Sequence, residues 1–323
     1  MSLVLHHKDL TKLVAEISNK WSVFGPTKKK ISSDILFSEI NSAKNLFLNN
    51  SSSLLPPKKF VFPAKETVFS FAKNKIKIVE DEDIILLGLN RKDAEGLFYL
   101  DRIMTTPLPD DNYLQKRSHV KLVVIDSLPP SNNLNCDLYF QRVNKDYYMA
   151  FSYTPFGSAI IKSKLFSRQG DVGTISTRHI PDTVIHHPRL DEIVENSRNH
   201  PIWNQLADTC FNCGICSYVC PLCYCYEVED NFDITKDIEK DCHGCRNRRW
   251  DSCMLPDFNR VTFHNFRPKQ KDRIYNWYYH KFVRMTREYG LPGCISCGRC
   301  STYCPAKINY REVLKELIKD EKK

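Results

Sequence analysis

Residues 210–221 read CFNCGICSYVCP and residues 294–305 read CISCGRCSTYCP. Both have the spacing C-x2-C-x2-C-x3-C-P. The first run holds Cys210, Cys213, Cys216 and Cys220 before Pro221; the second holds Cys294, Cys297, Cys300 and Cys304 before Pro305. Together they use eight of the 14 cysteines. Three thiols spaced by two residues let one tight loop present three soft ligands to one centre. The fourth leaves along a helix and cannot fold back onto the same centre.

That pattern is the ligand run of bacterial two-cluster ferredoxins, where the fourth cysteine ligates the other [4Fe–4S] cluster. The expected sets are therefore Cys210, Cys213, Cys216 with Cys304, and Cys294, Cys297, Cys300 with Cys220. Gly214 and Gly298 follow the second cysteine of each run, where the backbone must approach inorganic sulfide. The prolines stop each loop at its fourth cysteine. C-x2-C is also zinc spacing, but a zinc site needs four ligands, not three plus one.

About 70 residues separate the runs, and this insert carries Cys223, Cys225, Cys242, Cys245 and Cys253. One reading is a third metal site, a cubane or zinc, built from these thiols. The other is that they pack around the first two clusters. Residues 267–289 combine Arg267, Lys269, Lys271, Arg273, Lys281, Arg284 and Arg287 with Tyr275, Trp277, Tyr278, Tyr279 and Phe282. They read as a helix whose aromatics cover a cluster and whose charges face solvent or a partner. Tyr310, Val313, Leu314, Leu317 and Ile318 mark a C-terminal amphipathic helix.

Upstream, 83–89 and 119–126 are apolar runs suited to buried strands, with helical spacing over 91–104 between them: a β-α-β unit. No G-x-G-x-x-G follows either strand, so a dinucleotide fold has no support. Residues 137–153 read as a hairpin, and Cys136 as a small buried residue. Residues 3–19 and 34–48 read as helices, Phe24-Gly25-Pro26 as a turn, and 60–62, 68–71 and 76–79 as strands of the same domain. The tract 28–30 reads as a solvated loop, and 167–183 as loop. A helix over 188–207, broken at Pro201, leads into the first run. The fold class is α+β: an N-terminal α/β domain over 1–185, then a two-cluster ferredoxin-like domain over 186–323 with a helical, cysteine-rich insert over 226–293.

The formal net charge is +9. An oxidised cubane with four thiolates carries about −2, so two bring the balance to about +5 and a third to about +3. The basic excess mostly offsets the clusters. No stretch is apolar enough to span a membrane. With no secretory signal, 14 cysteines point to metal ligands in a reducing cytoplasm, not to disulfides.

With LLPPKKFVFP, CPLCYCYEVED, RRWDSCMLPDF, RPKQKDRIYNWYYHKF and GCISCGRCSTYCP, the chain resembles the iron–sulfur β subunit of cytoplasmic sulfhydrogenases and the A subunit of anaerobic sulfite reductase. The resemblance implies an electron-transfer subunit. Its partners are a flavin-containing NAD(P)H-binding subunit on one side and nickel–iron hydrogenase or sulfite/sulfur reductase subunits on the other. Family members often carry cysteines in a GVRPCD-like turn; here 87–93 read LGLNRKD, and only Cys136 follows before the first run. Cys242 and Cys245 look additional. Two rival readings follow from the residues: a self-sufficient reductase whose third cluster, or His243 beside it, binds substrate, and a metal-stabilised nucleic-acid-binding protein.

Overall fold

The computed structural model describes residues 2–29, 34–48, 52–72, 75–131, 134–170, 172–173, 182–233 and 243–321. The chain forms two compact units, Met1–Val61 with Glu82–Ile180 and Phe62–Asp81 with Pro181–Lys323.

The first unit is built on an eight-stranded sheet, in the order Phe166–Gln169, Ser2–His6, Tyr147–Ser152, Leu138–Arg142, Val120–Asp126, Ile84–Leu89, Ser22–Lys28 and Ile35–Glu39. The four strands from Leu138–Arg142 to Ser22–Lys28 are parallel. Ile85, Leu87, Val123 and Ile125 pack with Leu10, Leu13, Val14 and Ile17 of the helix Leu10–Ser18. The alternate residues Leu86, Leu122 and Val124 are also fully buried, as they are when a parallel sheet is covered on both faces. The β-α-β unit is present: the helix Arg91–Thr105 connects Ile84–Leu89 to Val120–Asp126 and packs on the latter. Asp126 Oδ2 accepts from Arg91 N at 2.7 Å, and Asn90 Oδ1 accepts from Asp93 N at 2.8 Å. Side chains thus take the helix amides that a phosphate uses in a dinucleotide fold. The hairpin over 137–153 is also present, as Leu138–Arg142 and Tyr147–Ser152. Cys136 is buried, and burial pushes its thiol up to about 12.

Several local expectations change. Residues 2–6 form a strand, and the helix starts only at Leu10; an apolar run as short as 3–5 fits either structure. Residues 34–48 hold the strand Ile35–Glu39 and a 3-10 turn over Ala43–Asn45. The buried pair Ile35 and Phe37 alternates, and antiparallel pairing with Ser22–Lys28 overrides the helical spacing. Gly25 and Pro26 lie inside that partner strand. Residues 57–60 are 3-10 helix, not strand, and Phe166–Gln169 is strand where loop was expected. Lys30 and most of the expected loop after Gly170 lie outside the described residues.

The second unit takes in the hairpin Lys65–Ala72 and Lys75–Ile78, which the sequence reading places in the N-terminal domain. It completes an antiparallel sheet ordered Tyr226–Phe232, His243–Trp250, Lys65–Ala72, Lys75–Ile78. The first part of the insert is therefore strand, not helix. Cross-strand pairs Glu227–Arg249 and Asp230–Arg246 fix its register. Behind it, Ile193, Val194, Trp203, Ile274, Trp277, Tyr278, Phe282, Leu314 and Leu317 make a helical core. The expected helix over 188–207 is two helices, Leu190–Asn196 and Ile202–Thr209, separated at Pro201.

Arg248 and Glu66 form an ion pair across this sheet (Nε–Oε1 2.6 Å), each side chain only 5% exposed. The Arg248 guanidinium also lies 4.7 Å from the Phe62 ring centre. Glu66→Ala strands a buried guanidinium and is expected to cost about 3–5 kcal/mol, read as a lower urea midpoint for the second unit. Replacing both partners by Leu and Met is expected to cost much less.

Candidate metal centre

The two cysteine runs fold alike. Asn212 and Ser296, two residues after the first cysteine of each run, have φ of 56° and 55°; Gly214 and Gly298 have φ of 74° and 76°. Each pair of left-handed residues turns the loop back over its own thiols. Asn212 N donates to Cys210 Sγ and Ser296 N to Cys294 Sγ, both at 3.4 Å. Leu222 N donates to Cys220 Sγ, also at 3.4 Å. The helical turns Ile215–Tyr218 and Arg299–Thr302 then carry the chain to the fourth cysteines, and the two turns pack together. The glycines are thus needed first for their backbone conformation.

The packing brings residues of the second run to the first. A cavity of about 70 Å³ is lined by Cys210, Cys213 and Cys216 together with Cys300 and Cys304 of the second run. Its other walls are apolar, with Ile274, Trp277 and Tyr278 of the helix Gln270–Tyr279. Conversely, the charge environment of Cys300 is set, after burial, by Cys294, Cys220 and Cys297. The fourth cysteine of the first run thus lies among the thiols of the second. Burial pushes Cys216 and Cys294 up to about 12, so without a metal both stay protonated near neutral pH. Soft thiol donors, apolar walls and amides aimed at sulfur are the donor set of a thiolate-bound iron–sulfur cluster.

The insert cysteines do not come together as one set. Cys223 pairs with Cys220. Cys253 pairs with Cys225 and senses Cys223 and Cys216. Cys245 lies on the strand His243–Trp250, opposite Ser70 and Asn231, and accepts from Asn247 Nδ2 at 3.4 Å. It is five residues from Trp250, which pairs with Tyr226 next to Cys225; that is about 17 Å along a strand. His243 lies further along the same strand. Cys242 lies outside the described residues. Among the described residues, no three His, Cys, Asp or Glu side chains form a site for a single metal ion.

The basic helix also departs from expectation. It is three segments, Gln270–Tyr279, a π turn over His280–Arg284, and Met285–Tyr289. Arg273 and Lys281 are buried, not solvent-facing. Arg273 donates to the carbonyls of Met254, Arg267 and Pro268. Lys281 Nζ donates to Cys220 Sγ at 3.2 Å and to Gly293 O at 3.0 Å. Burial opposes its charge, but Cys220, Cys223 and Cys294 outweigh this and hold its pKa well above the ordinary lysine value. The sequence carried a signal for it: Lys281 continues the buried helical stripe Ile274, Trp277, Tyr278 and Met285. The exposed Arg284 and Arg287 are paired with Glu288 and with Glu195 and Asp191.

A methyl group on Gly214 meets Ser252 Cβ at 2.9 Å, and Ser252 Oγ is bonded to Ser217 Oγ at 3.0 Å; around Gly298 there is open space. Gly298→Ala is expected to cost only the left-handed backbone, about 1–2 kcal/mol. Gly214→Ala adds a clash inside the first loop. Iron analysis of the two purified variants is expected to show the larger loss in Gly214→Ala.

Residues 209–308 match the 4Fe-4S dicluster domain family. The chain is 28% identical to Sulfhydrogenase 2 subunit beta of Pyrococcus furiosus in an alignment of 334 residues that covers 97% of each protein. Over residues 209–308 the chain is thus similar to 4Fe-4S dicluster domains, and over nearly its whole length to a sulfhydrogenase beta subunit.

Proposed function

We propose that this chain is the electron-relay subunit of a cytoplasmic oxidoreductase. It passes single electrons between a flavin-bearing NAD(P)H subunit and a nickel–iron hydrogenase or a sulfite or sulfur reductase subunit. Two [4Fe–4S] clusters, when bound, supply one-electron chemistry. Cys210, Cys213, Cys216 and Cys304 hold the first; Cys294, Cys297, Cys300 and Cys220 hold the second. The observation that carries this reading is that thiols of the second run, Cys304 with Cys300, stand in the wall of the cavity of the first run. A chain of two independent loops has no reason to place them there; a two-cluster ferredoxin does.

The protein's own part is to position and shield. Ile274, Trp277 and Tyr278 of the helix Gln270–Tyr279 give the first set an apolar wall. Amide donors at Asn212, Leu222 and Ser296 stabilise thiolate charge on both sets. The relay assignment agrees with the near full-length likeness to a hydrogenase subunit. Among the described insert thiols, Cys223 lies beside Cys220 and Cys253 beside Cys225, while Cys245 stands apart on its strand, so nothing supports a third site that joins Cys245 to the others.

The wiring is tested by EPR on reduced, anaerobically purified variants. Cys304→Ser and Cys213→Ser are expected to lose the same cluster signal, and Cys297→Ser the other. Loss of the Cys297 signal in Cys304→Ser contradicts the crossed assignment. Anaerobic isolation of the tagged chain from its native cells tests the relay. Flavin and hydrogenase or reductase subunits are expected to copurify; a chain that comes alone contradicts the proposal.

A further inference from the structure

We infer that Lys281 sets the potential of the second cluster, as a fixed positive charge bonded to its cross-run ligand Cys220. This rests on the cluster assignment above and goes beyond it. A lysine only 3% exposed is unusual unless its charge is used. The ammonium has three donors, and two are accounted for: Cys220 Sγ at 3.2 Å and Gly293 O at 3.0 Å. Its charge also faces the Trp277 ring, 5.2 Å from the centre. It therefore joins the last cysteine of the first run to the residue just before Cys294.

The backbone makes the same connection from the other side. Gly293 N donates to Lys281 O at 2.6 Å. A Cβ on Gly293 would lie 2.3 Å from Met285 Sδ and 3.2 Å from Lys281 Cα, so a side chain here would crowd this approach. Lys281 lies in the π turn His280–Arg284. Such turns insert one residue into a helix and re-aim the side chains around it, often at functional sites. Here Lys281 remains on the buried stripe and its amine reaches the sulfur.

The effect on potential has a definite sign. A four-thiolate cubane goes from about −2 to about −3 on reduction. A buried positive charge beside one ligand sulfur stabilises the more negative state and raises the potential. Among the described residues no ammonium or guanidinium is bonded to a thiol of the first set: Cys210 Sγ accepts from the neutral amide of Asn212, and the nearby Arg273 spends its donors on backbone carbonyls. Lys281 thereby holds the potential of the second cluster above the value it would have without that charge.

The test is a redox titration monitored by EPR on the full chain and on Lys281→Met, which keeps length and volume but removes the charge. The second cluster is expected to shift to lower potential by more than the first, since only its ligand Cys220 is bonded to the ammonium. Lys281→Arg, which keeps the charge, is expected to recover most of the shift. Both potentials unmoved in a Lys281→Met protein with its full iron overturns the inference and leaves the cluster reading intact. A wild-type chain without iron overturns the cluster reading itself. If Lys281→Met loses iron, Lys281→Gln is titrated instead, and the same downward shift is required. Loss of one cluster in both variants makes Lys281 a structural clasp and overturns the potential-setting role.

Discussion

Everything in the second unit depends on the requirement that four sulfurs converge from two distant stretches of chain. Three residues of each set are local, because a loop with two left-handed residues can hold three thiols on one side. The fourth must come from the other run. Cys304 can reach the first cavity only if the turns Ile215–Tyr218 and Arg299–Thr302 lie against each other. The helical core under them holds that arrangement. Its residues Ile274, Trp277, Tyr278 and Phe282 come from the stretch between the two runs and Trp203 from just before the first, and Cys210, Cys216, Cys294 and Cys300 pack against this core.

Charge is the second demand of such a site. Thiolate clusters concentrate negative charge in a poorly solvated place, and the protein answers with few but well-placed donors. Backbone amides serve Cys210, Cys220 and Cys294, and one ammonium serves Cys220. The basic side chains on the outer surface of the same helices are tied up in ordinary ion pairs with Glu288, Glu195 and Asp191. Exposed pairs of this kind add little stability, so the charges that matter for redox chemistry are the buried ones.

The dicluster domain was legible because its spacing has a single geometric purpose. The C-x2-C-x2-C-x3-C-P runs lie inside the stretch that matches the dicluster family, and the cavity of the first run has Cys300 and Cys304 of the second in its wall. The buried parallel strands Ile84–Leu89 and Val120–Asp126 were legible for a related reason: only burial on both faces explains such unbroken apolar runs. Other features depend on distant partners. Residues 65–78 read as strands, but their sequence does not say that they pair with His243–Trp250, far away in the chain. Residues 34–48 have helical spacing that sheet pairing overrides. Lys281 looked like one basic residue among seven on its helix, since charge and composition say nothing of which face is buried. Cys245 shared the C-x2-C spacing of a ligand, yet lies on a strand remote from the other thiols.

The most direct test of the account is a joint analysis of iron, acid-labile sulfide and zinc in chain purified without oxygen. About eight irons and eight sulfides per chain, with no zinc, is the predicted result. A colourless protein, or one that carries zinc in place of iron and sulfide, would contradict it.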